Sequence, residues 1–152
     1  MAQRDYPYSN FNFIVNLGGD TGSGDTPIGG FSECSGISTE VNYSEYRPGN
    51  AKVNTTSRFP NTFKVGTLTL KRGLMGSVDL WNWLKDVRDG KYSPRSVTIT
   101  LQDEEHKPVM AWDLHAAQPQ KWTAPNMTGK GGGDVAMEEF VLVYESFNVK
   151  QL

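Results

Sequence analysis

Residues 58–90 constrain the fold most, because the chain switches there from a period-two pattern to a helical one. In residues 64–72, Leu68 and Leu70 point to one side while threonines and a lysine point to the other, which predicts one half-buried extended strand. Glycines at 73 and 76 then predict a turn, and a short helix follows over about residues 77–89.

The segment after this turn has the features of a capped amphipathic helix. Ser77 is a suitable N-cap, Asp79 falls in the first turn, and Gly90 predicts the C-terminal stop. Its apolar residues share one face: Leu80, Trp83, Leu84 and Val87.

Alternation between apolar and polar residues recurs through the rest of the chain. It predicts a mainly β fold, a β-sandwich or small barrel of about six to seven strands with one short α-helix packed on one side. The strand segments are residues 11–17, 31–37, 40–46, 64–72, 96–102, 109–118 and 138–149.

The sequence shows no internal repeat and no linker, so we expect a single domain over residues 1–152. Residues 1–10 are predicted to be a loose arm. The segments 47–61 and 119–134 carry prolines or glycines without a period and are predicted to be long loops, and the glycine-rich segment 18–30 is predicted to be a flexible loop.

Composition excludes several functional classes. The net charge of −2, with both signs interspersed, is unlike the basic stripe of a nucleic-acid binder. The single cysteine, Cys34, excludes an intrachain disulfide framework and is expected to be a small buried or semi-buried residue. Since neither a secretory leader nor a membrane-spanning run is visible, we expect synthesis in the cytoplasm and no membrane insertion by the free subunit.

Candidate catalytic and ligand sites are weak. Asp113 and His115 provide too few ligands for a metal, and Asp103, Glu104 and Glu105 fit a solvated turn better than an acid–base pair. The glycine clusters lack the Lys-Ser/Thr ending of a phosphate-binding loop. The sequence therefore predicts no metal, no cofactor and no catalytic residue.

Two features are unusual for a monomeric β protein: the outward strand residues and the position of Trp81. The outward strand positions are mostly small and uncharged, as suits strands that continue across subunits and enclose an aqueous space, although an ordinary exposed sheet is the alternative. Trp81 falls on the polar side of the helix, where it either folds back onto a loop or serves as an interface anchor.

The order of the elements and several local motifs resemble the tail-tube proteins of contractile phages and contractile injection systems. The motifs are residues 12–17 (NFIVNL), 31–37 (FSECSGI), 41–49 (VNYSEYRPG), 67–73 (TLTLKRG), the helix around 80–84 (LWNWL), 95–103 and 139–147. The resemblance covers nearly the whole chain, and the ordered set of motifs carries it rather than any single one.

The resemblance implies a structural subunit that forms hexameric rings, which stack into a rigid tube with a continuous barrel around the lumen. It implies a contractile sheath, baseplate and terminator proteins as partners, with DNA or an effector protein as cargo, in a phage tail or a tail-like particle, some of which act outside the cell. Residues 47–61 resemble the family's attachment loop, and the helix is expected on the exterior.

Under this resemblance, each group of residues receives an expected role. Contacts between subunits are expected at Tyr46, Arg47, Phe59, Pro60 and Phe63. The lumen is expected at Asn42, Ser44, Thr67, Thr69, Thr98 and Thr100. The sheath-facing side is expected at Asp79, Asn82, Asp86 and Asp89.

Other functions stay open from sequence. A monomeric β-sandwich module that binds carbohydrate or protein would use exposed aromatic residues, for which Trp81, Tyr92 and Trp122 are the candidates. A tube protein of a type VI secretion apparatus is a closer variant. The sequence leaves the cargo, the target cell, the kind of particle and the role of the glycine-rich segment undetermined.

Overall fold

The structure, a computed structural model, describes residues 4–18, 28–50, 52–74 and 78–152. These residues form ten strands and one helix, α1 (Asp79–Arg88). The strands are β1 (Phe13–Asn16), β2 (Ile28–Gly29), β3 (Phe31–Ser35), β4 (Thr39–Tyr46), β5 (Ser57–Val65), β6 (Leu68–Gly73), β7 (Arg95–Gln102), β8 (Pro108–Thr123), β9 (Met137–Val143) and β10 (Ser146–Gln151).

Eight of these strands build a β-sandwich, which confirms the predicted fold class. Sheet A has the order β2-β1-β7-β8-β10 and sheet B the order β8-β9-β6-β3, so that β8 belongs to both. The remaining pair, β4 and β5, forms a separate two-stranded ribbon. All pairings are antiparallel.

The two sheets share a corner at which β8 bends. Residues up to Ala117 pair with β7, and residues from Gln118 onward pair with β9. Ala116 has a φ of 54°, a left-handed conformation at the bend. Residues 138–149, predicted as one strand, turn the same corner: β9 ends at Val143 in sheet B, and β10 begins at Ser146 in sheet A.

The inward faces of both sheets meet in one apolar core. Leu68 and Leu70 of β6 are fully buried, as the period-two pattern predicts, and they belong to the same buried cluster as Leu114 and Val97 of sheet A. The other buried members are Val15, Leu17, Phe31, Leu80, Trp83, Ile99, Ala117, Phe140, Leu142 and Tyr144.

The helix prediction is confirmed within two residues. Leu80 and Trp83 are buried and Gly90 has a φ of 97°, the left-handed conformation expected just after a helix. The N-cap position is Val78, which makes no capping hydrogen bond through its side chain. Ser77 and Gly76, the predicted cap and turn residues, lie outside the described residues.

Three predicted boundaries are wrong. Residues 64–72 are two strands rather than one, because β5 ends at Val65 and β6 begins at Leu68. The predicted loop 47–61 loses residues 57–61 to β5, and the predicted loop 119–134 loses residues 119–123 to β8. Both extensions contain a proline beside a β-bulge, Pro60 and Pro119, a position at which a missing N–H is tolerated. Strand β2, strand β5 and the split of 138–149 bring the count to ten.

The N-terminal arm, predicted to be loose, is anchored from Arg4 onward. The Arg4 guanidinium donates two hydrogen bonds to Glu104, at 3.0 and 3.1 Å, and two more to the carbonyls of Tyr6 and Pro7. It also stacks on the rings of Tyr6 and Tyr8, at 4.1 and 3.9 Å from their centroids. One arginine thus fastens the arm to the turn before β8.

Candidate assembly interface

The β4–β5 ribbon projects from one end of the sandwich as an extension of the β3–β6 pair. β3 leads into β4 and β5 leads into β6, and Gly66 N–H donates to the Ser38 carbonyl at 2.9 Å across the junction. Gly36 has a φ of 96°, and a Cβ there would lie 2.2 Å from the Thr67 carbonyl oxygen. The close crossing at Gly36 therefore fixes the direction in which the ribbon leaves the body.

One face of the ribbon, the polar face, carries Glu40, Asn42, Ser44, Thr62 and Lys64, and near the tip it also carries Phe59, which lies opposite Ser44, and Tyr46. Its side chains are paired across the strands: Lys64 with Glu40 at 2.8 Å, Asn42 with Thr62 at 3.3 Å, and Asn61 with Ser44 at 2.9 Å. All of these residues are exposed. From its base to Ser44, this face resembles a hydrated wall, whereas its tip carries two exposed aromatic rings.

The opposite face, the apolar face, carries Val41, Tyr43, Pro60 and Phe63. Val41 lies opposite Phe63, and Tyr43 lies opposite Pro60. The exposed fractions are 46% for Val41 and 61% for both Tyr43 and Phe63. A contiguous exposed apolar patch on a narrow projection is typical of a surface that becomes buried in an assembly.

The outer end of the ribbon is closed by contacts within the loop. Tyr46 packs on Phe59 with ring centroids 6.5 Å apart, and the Arg47 guanidinium donates to the Val53 carbonyl and to Asn54 Oδ1, both at 3.3 Å. The five residues expected at subunit contacts thus lie on the ribbon and its loop but not on one surface. Phe63 and Pro60 lie on the apolar face, Tyr46 and Phe59 lie at the tip on the polar face, and Arg47 begins the loop.

Each face of the ribbon continues a face of the body. Val65 and Ile37, at the base, pack against the apolar core, so the apolar face extends the core-facing side of sheet B beyond the sandwich. The polar face accordingly extends the outer side of sheet B. On that outer side, Ser35 lies opposite Thr69, and Glu33 lies opposite Lys71, with their charged groups 3.7 Å apart.

The structure does not bring all the residues expected at the lumen together. Asn42, Ser44 and Thr69 share the continuous polar surface just described, and exposed Thr67 lies at the junction. Thr98 and Thr100 of β7 lie on the outer side of sheet A, which faces away from the core on the other side of the sandwich. There, Thr98 donates to Asp113 at 3.0 Å, and Lys150 pairs with Asp113 at 2.7 Å, which lowers the pKa of that carboxyl.

The helix packs on the core-facing side of sheet B. Trp83 contacts Phe140 with ring centroids 5.8 Å apart, and its indole donates to the Ser93 carbonyl at 3.0 Å. α1 and the polar surface therefore lie on opposite sides of the same sheet. Asn82, Asp86 and Asp89, expected to face the sheath, are exposed.

Asp79, the fourth residue of that set, belongs to an inward network instead. Arg72, whose side chain is 11% exposed, pairs with Asp79 at 2.7 Å and with Glu138. Glu138 is 2% exposed and also accepts a hydrogen bond from the Trp122 indole at 3.0 Å. Burial lowers the pKa of Arg72, but the hydrogen bonds that Arg72 donates to Asp79 and Glu138 outweigh it and raise that pKa overall.

Trp81 folds back rather than standing free. Its ring lies 5.4 Å from that of Trp122, with the Arg88 guanidinium 5.6 Å from its centroid, and both tryptophans are half-buried. Of the three aromatic residues that a carbohydrate-binding face would use, Tyr92 alone is largely exposed. These contacts provide no platform of stacked, open rings for a sugar.

Among the described residues, no group of three His, Cys, Asp or Glu side chains is placed to hold a metal ion. Within the same ranges, no helix has the length and apolar character needed to traverse a bilayer.

Sequence reasoning missed β5 and hence the two-faced ribbon. The aromatic residues at 59 and 63 could have indicated a strand that pairs with the alternating residues of 40–46. Two prolines and the lack of regular alternation in this segment obscured that pattern. The one-residue bulge between Val41 and Tyr43 also breaks the period on the β5 side.

Comparison with known protein families finds one matching family model. The family model of the T4-like virus tail tube protein gp19 matches residues 9–148. No curated protein sequence matches the chain.

Solved structures share the fold at low sequence identity. A chain in the cryo-EM structure of the anti-feeding prophage (AFP) baseplate, 6-fold symmetrised, is 24% identical with a TM-score of 0.85, covering 97% of this chain and 98% of that one. A chain in the sheath–tube complex of an extracellular contractile injection system (PVC) in the extended state is 22% identical with a TM-score of 0.83, covering 97% and 94%. Hcp1 from Flavobacterium johnsoniae is more distant, with 9% identity, a TM-score of 0.54, and coverage of 93% and 96%.

Proposed function

This chain belongs to the T4-like virus tail tube protein gp19 family, and we propose that it is a non-enzymatic subunit that stacks as hexameric rings into the inner tube of a contractile particle. The observation that carries the proposal is the β4–β5 ribbon, which exposes an apolar face with no partner among the described residues of its own chain. A binding module that works as a monomer has no use for such a projection.

Free strand edges supply a second requirement of a ring. In sheet B, β3 is the last strand on one side, and residues 118–123 of β8 have β9 as their only strand neighbour among the described residues. Pairing of these edges between neighbouring subunits would close sheet B into one barrel and remove edges that otherwise promote aggregation.

The lumen wall in this proposal is the outer side of sheet B together with the polar face of the ribbon. The supporting observation is the position of α1, which packs on the opposite side of the same sheet and is therefore directed outward, toward a sheath. Asn42, Ser44 and Thr69 then face the lumen. Thr98 and Thr100 do not, because they lie on the outer side of sheet A.

The proposed wall carries compensated rather than one-signed charge. Glu33 is near Lys71, Glu40 is near Lys64, and Lys71 also lies opposite Glu139. Such a wall holds neither a basic nor an acidic cargo strongly. Sheath, baseplate and terminator proteins are the proposed partners, with DNA or an effector protein as cargo, after assembly in the cytoplasm into a tail or tail-like particle that acts outside the cell.

Electron microscopy of the purified protein, alone and with its sheath protein, tests the proposal. We expect six-membered rings or tubes with an open centre. A protein that stays monomeric at high concentration, even with its tail partners present, would contradict the proposed function.

Cysteine labelling of tubes tests which sheet lines the lumen. In a Cys34→Ser background, Thr69→Cys and Thr100→Cys are treated with a large polyethylene-glycol maleimide. Thr69→Cys should react fast as a monomer and at least about tenfold more slowly in long tubes, whereas Thr100→Cys should not show this protection. The reverse pattern would place sheet A at the lumen.

A further inference from the structure

Helix α1 is held to sheet B by a nearly buried network of charges. The Arg72 guanidinium donates to Asp79, the first residue of the helix, at 2.7 Å and also to Glu138 of β9. The Arg72 side chain is 11% exposed and Glu138 is 2% exposed. These three residues, the anchoring network, join the start of α1 to two neighbouring strands of sheet B.

Within the described residues, each edge strand of sheet B adds an aromatic side chain to this network. On the β3 edge, Phe31 lies directly opposite Arg72, whose guanidinium is 5.6 Å from the centroid of the Phe31 ring. On the β8 edge, the Trp122 indole donates to Glu138 Oε2 at 3.0 Å, and its ring lies 5.4 Å from the Trp81 ring of α1. The two strands proposed to pair between subunits therefore both contact the groups that hold the helix.

A network of this kind stabilises the fold only when it is complete. A buried charge that loses a hydrogen-bond partner costs more free energy than an exposed one, because water does not replace the partner. Displacement of β8 at Trp122 would remove a donor from Glu138, and displacement of β3 would uncover Arg72 on the side of Phe31. Movement of either edge strand therefore weakens the hold on Asp79.

The edge strands are the parts of sheet B that should open most readily in a free subunit. Among the described residues, residues 118–123 of β8 pair with β9 alone, and β3 pairs with β6 alone. A strand with one partner opens locally at a lower free energy than a central strand. Pairing with a neighbouring subunit would supply the second partner and hold both edges in register.

Building on the tube function proposed above, we propose that the anchoring network couples closure of the ring to the packing of α1 against sheet B. When an edge strand is displaced, the network is incomplete and the first turn of α1 loosens. When the edges are paired, Phe31 and Trp122 complete the network and α1 is fixed. Because such coupling is reciprocal, a well-packed helix also favours closure of the ring. Arg72, Glu138 and Trp122 are thus positioning residues for the outward helix.

Amide hydrogen exchange, measured by mass spectrometry on dilute monomer and on assembled rings or tubes, tests the coupling. We expect the amides of residues 82–88, which are hydrogen-bonded within α1, to exchange at least about tenfold more slowly in the ring. The amides of residues 97–101 in β7, which pairs on both sides within its own chain, should change by less than about twofold.

Asp79→Asn removes the charge that ties the helix to Arg72, and Asp89→Asn is the matched control at the C-cap of the same helix. Asp79→Asn should reduce the difference between ring and monomer to less than about twofold, whereas Asp89→Asn should keep it. The ratio between ring and monomer is the readout, because loss of a first-turn charge weakens the helix in both states alike. Trp122→Phe, which removes the indole donor at the β8 edge, should act like Asp79→Asn.

Rings in which α1 exchanges as fast as in the monomer would overturn the coupling while leaving the tube function intact. Equal slowing in Asp79→Asn and Asp89→Asn rings would also overturn it, since α1 would then be protected by direct contact with a neighbour. Failure of the unmodified protein to form any ring would instead contradict the tube function, and the coupling with it.

Discussion

Strand β6 and the β4–β5 ribbon show the same alternation, yet their apolar residues have opposite environments. Leu68 and Leu70 of β6 are 0% exposed, whereas Val41 is 46% and Phe63 is 61% exposed in the ribbon. The sandwich buries these leucines within its own chain, whereas the apolar face of the ribbon has no partner among the described residues. In the proposed tube, the first group of residues folds the subunit and the second assembles it.

The largest expected effect comes from truncating one apolar side chain in the core and one in the ribbon to alanine. Leu70→Ala should lower the free energy of unfolding by about 2–5 kcal/mol, because it opens a cavity in the core. Phe63→Ala should change the stability of the monomer by less than about 0.5 kcal/mol, as for a surface site, and yet abolish rings. Urea unfolding of dilute monomer, paired with electron microscopy at high concentration, measures both. Equal losses of stability would refute the distinction.

A second comparison uses two adjacent glutamates on opposite sides of β9. Glu138→Gln should cost about 2–3 kcal/mol, because it removes the buried carboxylate that pairs with Arg72. Glu139→Gln, on the outer side of sheet B, should stay within about 0.5 kcal/mol. Thermal unfolding of both variants checks this, and an unaffected Glu138→Gln protein would show that Asp79 alone satisfies Arg72.

The junction between body and ribbon should respond to Gly36→Ala. A Cβ would meet the Thr67 carbonyl oxygen at 2.2 Å, and the φ of 96° is unfavourable for alanine, so we expect a loss of about 1–3 kcal/mol and a redirected ribbon. Gly49→Ala is the matched control, since a Cβ there meets nothing within 4 Å. Ring formation by Gly36→Ala at the level of Gly49→Ala would mean that the ribbon's direction is not fixed at this glycine.

The smallest effect concerns the arm, an exposed segment that does have a partner in its own chain. The hydrogen bonds from Arg4 lower the pKa of Glu104 to about 2. The stability that this ion pair contributes is therefore complete above the pKa of Glu104 in the unfolded chain, and it is lost as the pH falls toward about 2. Carbon-detected NMR of the Glu104 carboxylate should give this titration, and Glu104→Gln should release the Tyr6 and Tyr8 rings from Arg4 at neutral pH. A normal glutamate titration would show that the arm is not held in solution.

Much of the body followed from local pattern. Residues 96–102 and 109–118 form strands as predicted, since regular alternation in β-branched and apolar residues has no competing interpretation. The helix was equally well specified by its apolar face and Gly90. Patterns with a clean period and clear stops therefore sufficed wherever an element is buried by its own chain.

The candidate site was harder to predict, because its features depend on partners distant in sequence. The expected contact residues Phe63 and Pro60 do lie on the exposed apolar face, but their roles stay a prediction. Threonines at 69 and 98 looked equivalent in sequence, yet they lie on different sheets. Periodicity predicts that a side chain points away from the core. It does not predict which of the two outer surfaces carries that side chain, because that depends on which strands pair.

By itself, the sequence determined the β-rich class, the single short helix and the alternation that separates core from surface. Each of these features depends only on residues that are close together in the chain. Tertiary structure alone decided that β8 and residues 138–149 bend together at one corner, that Arg72 draws Asp79 inward, and that the two faces of the β4–β5 ribbon continue the two sides of sheet B. The reason is physical: register and burial are set by long-range pairing, which no local pattern records.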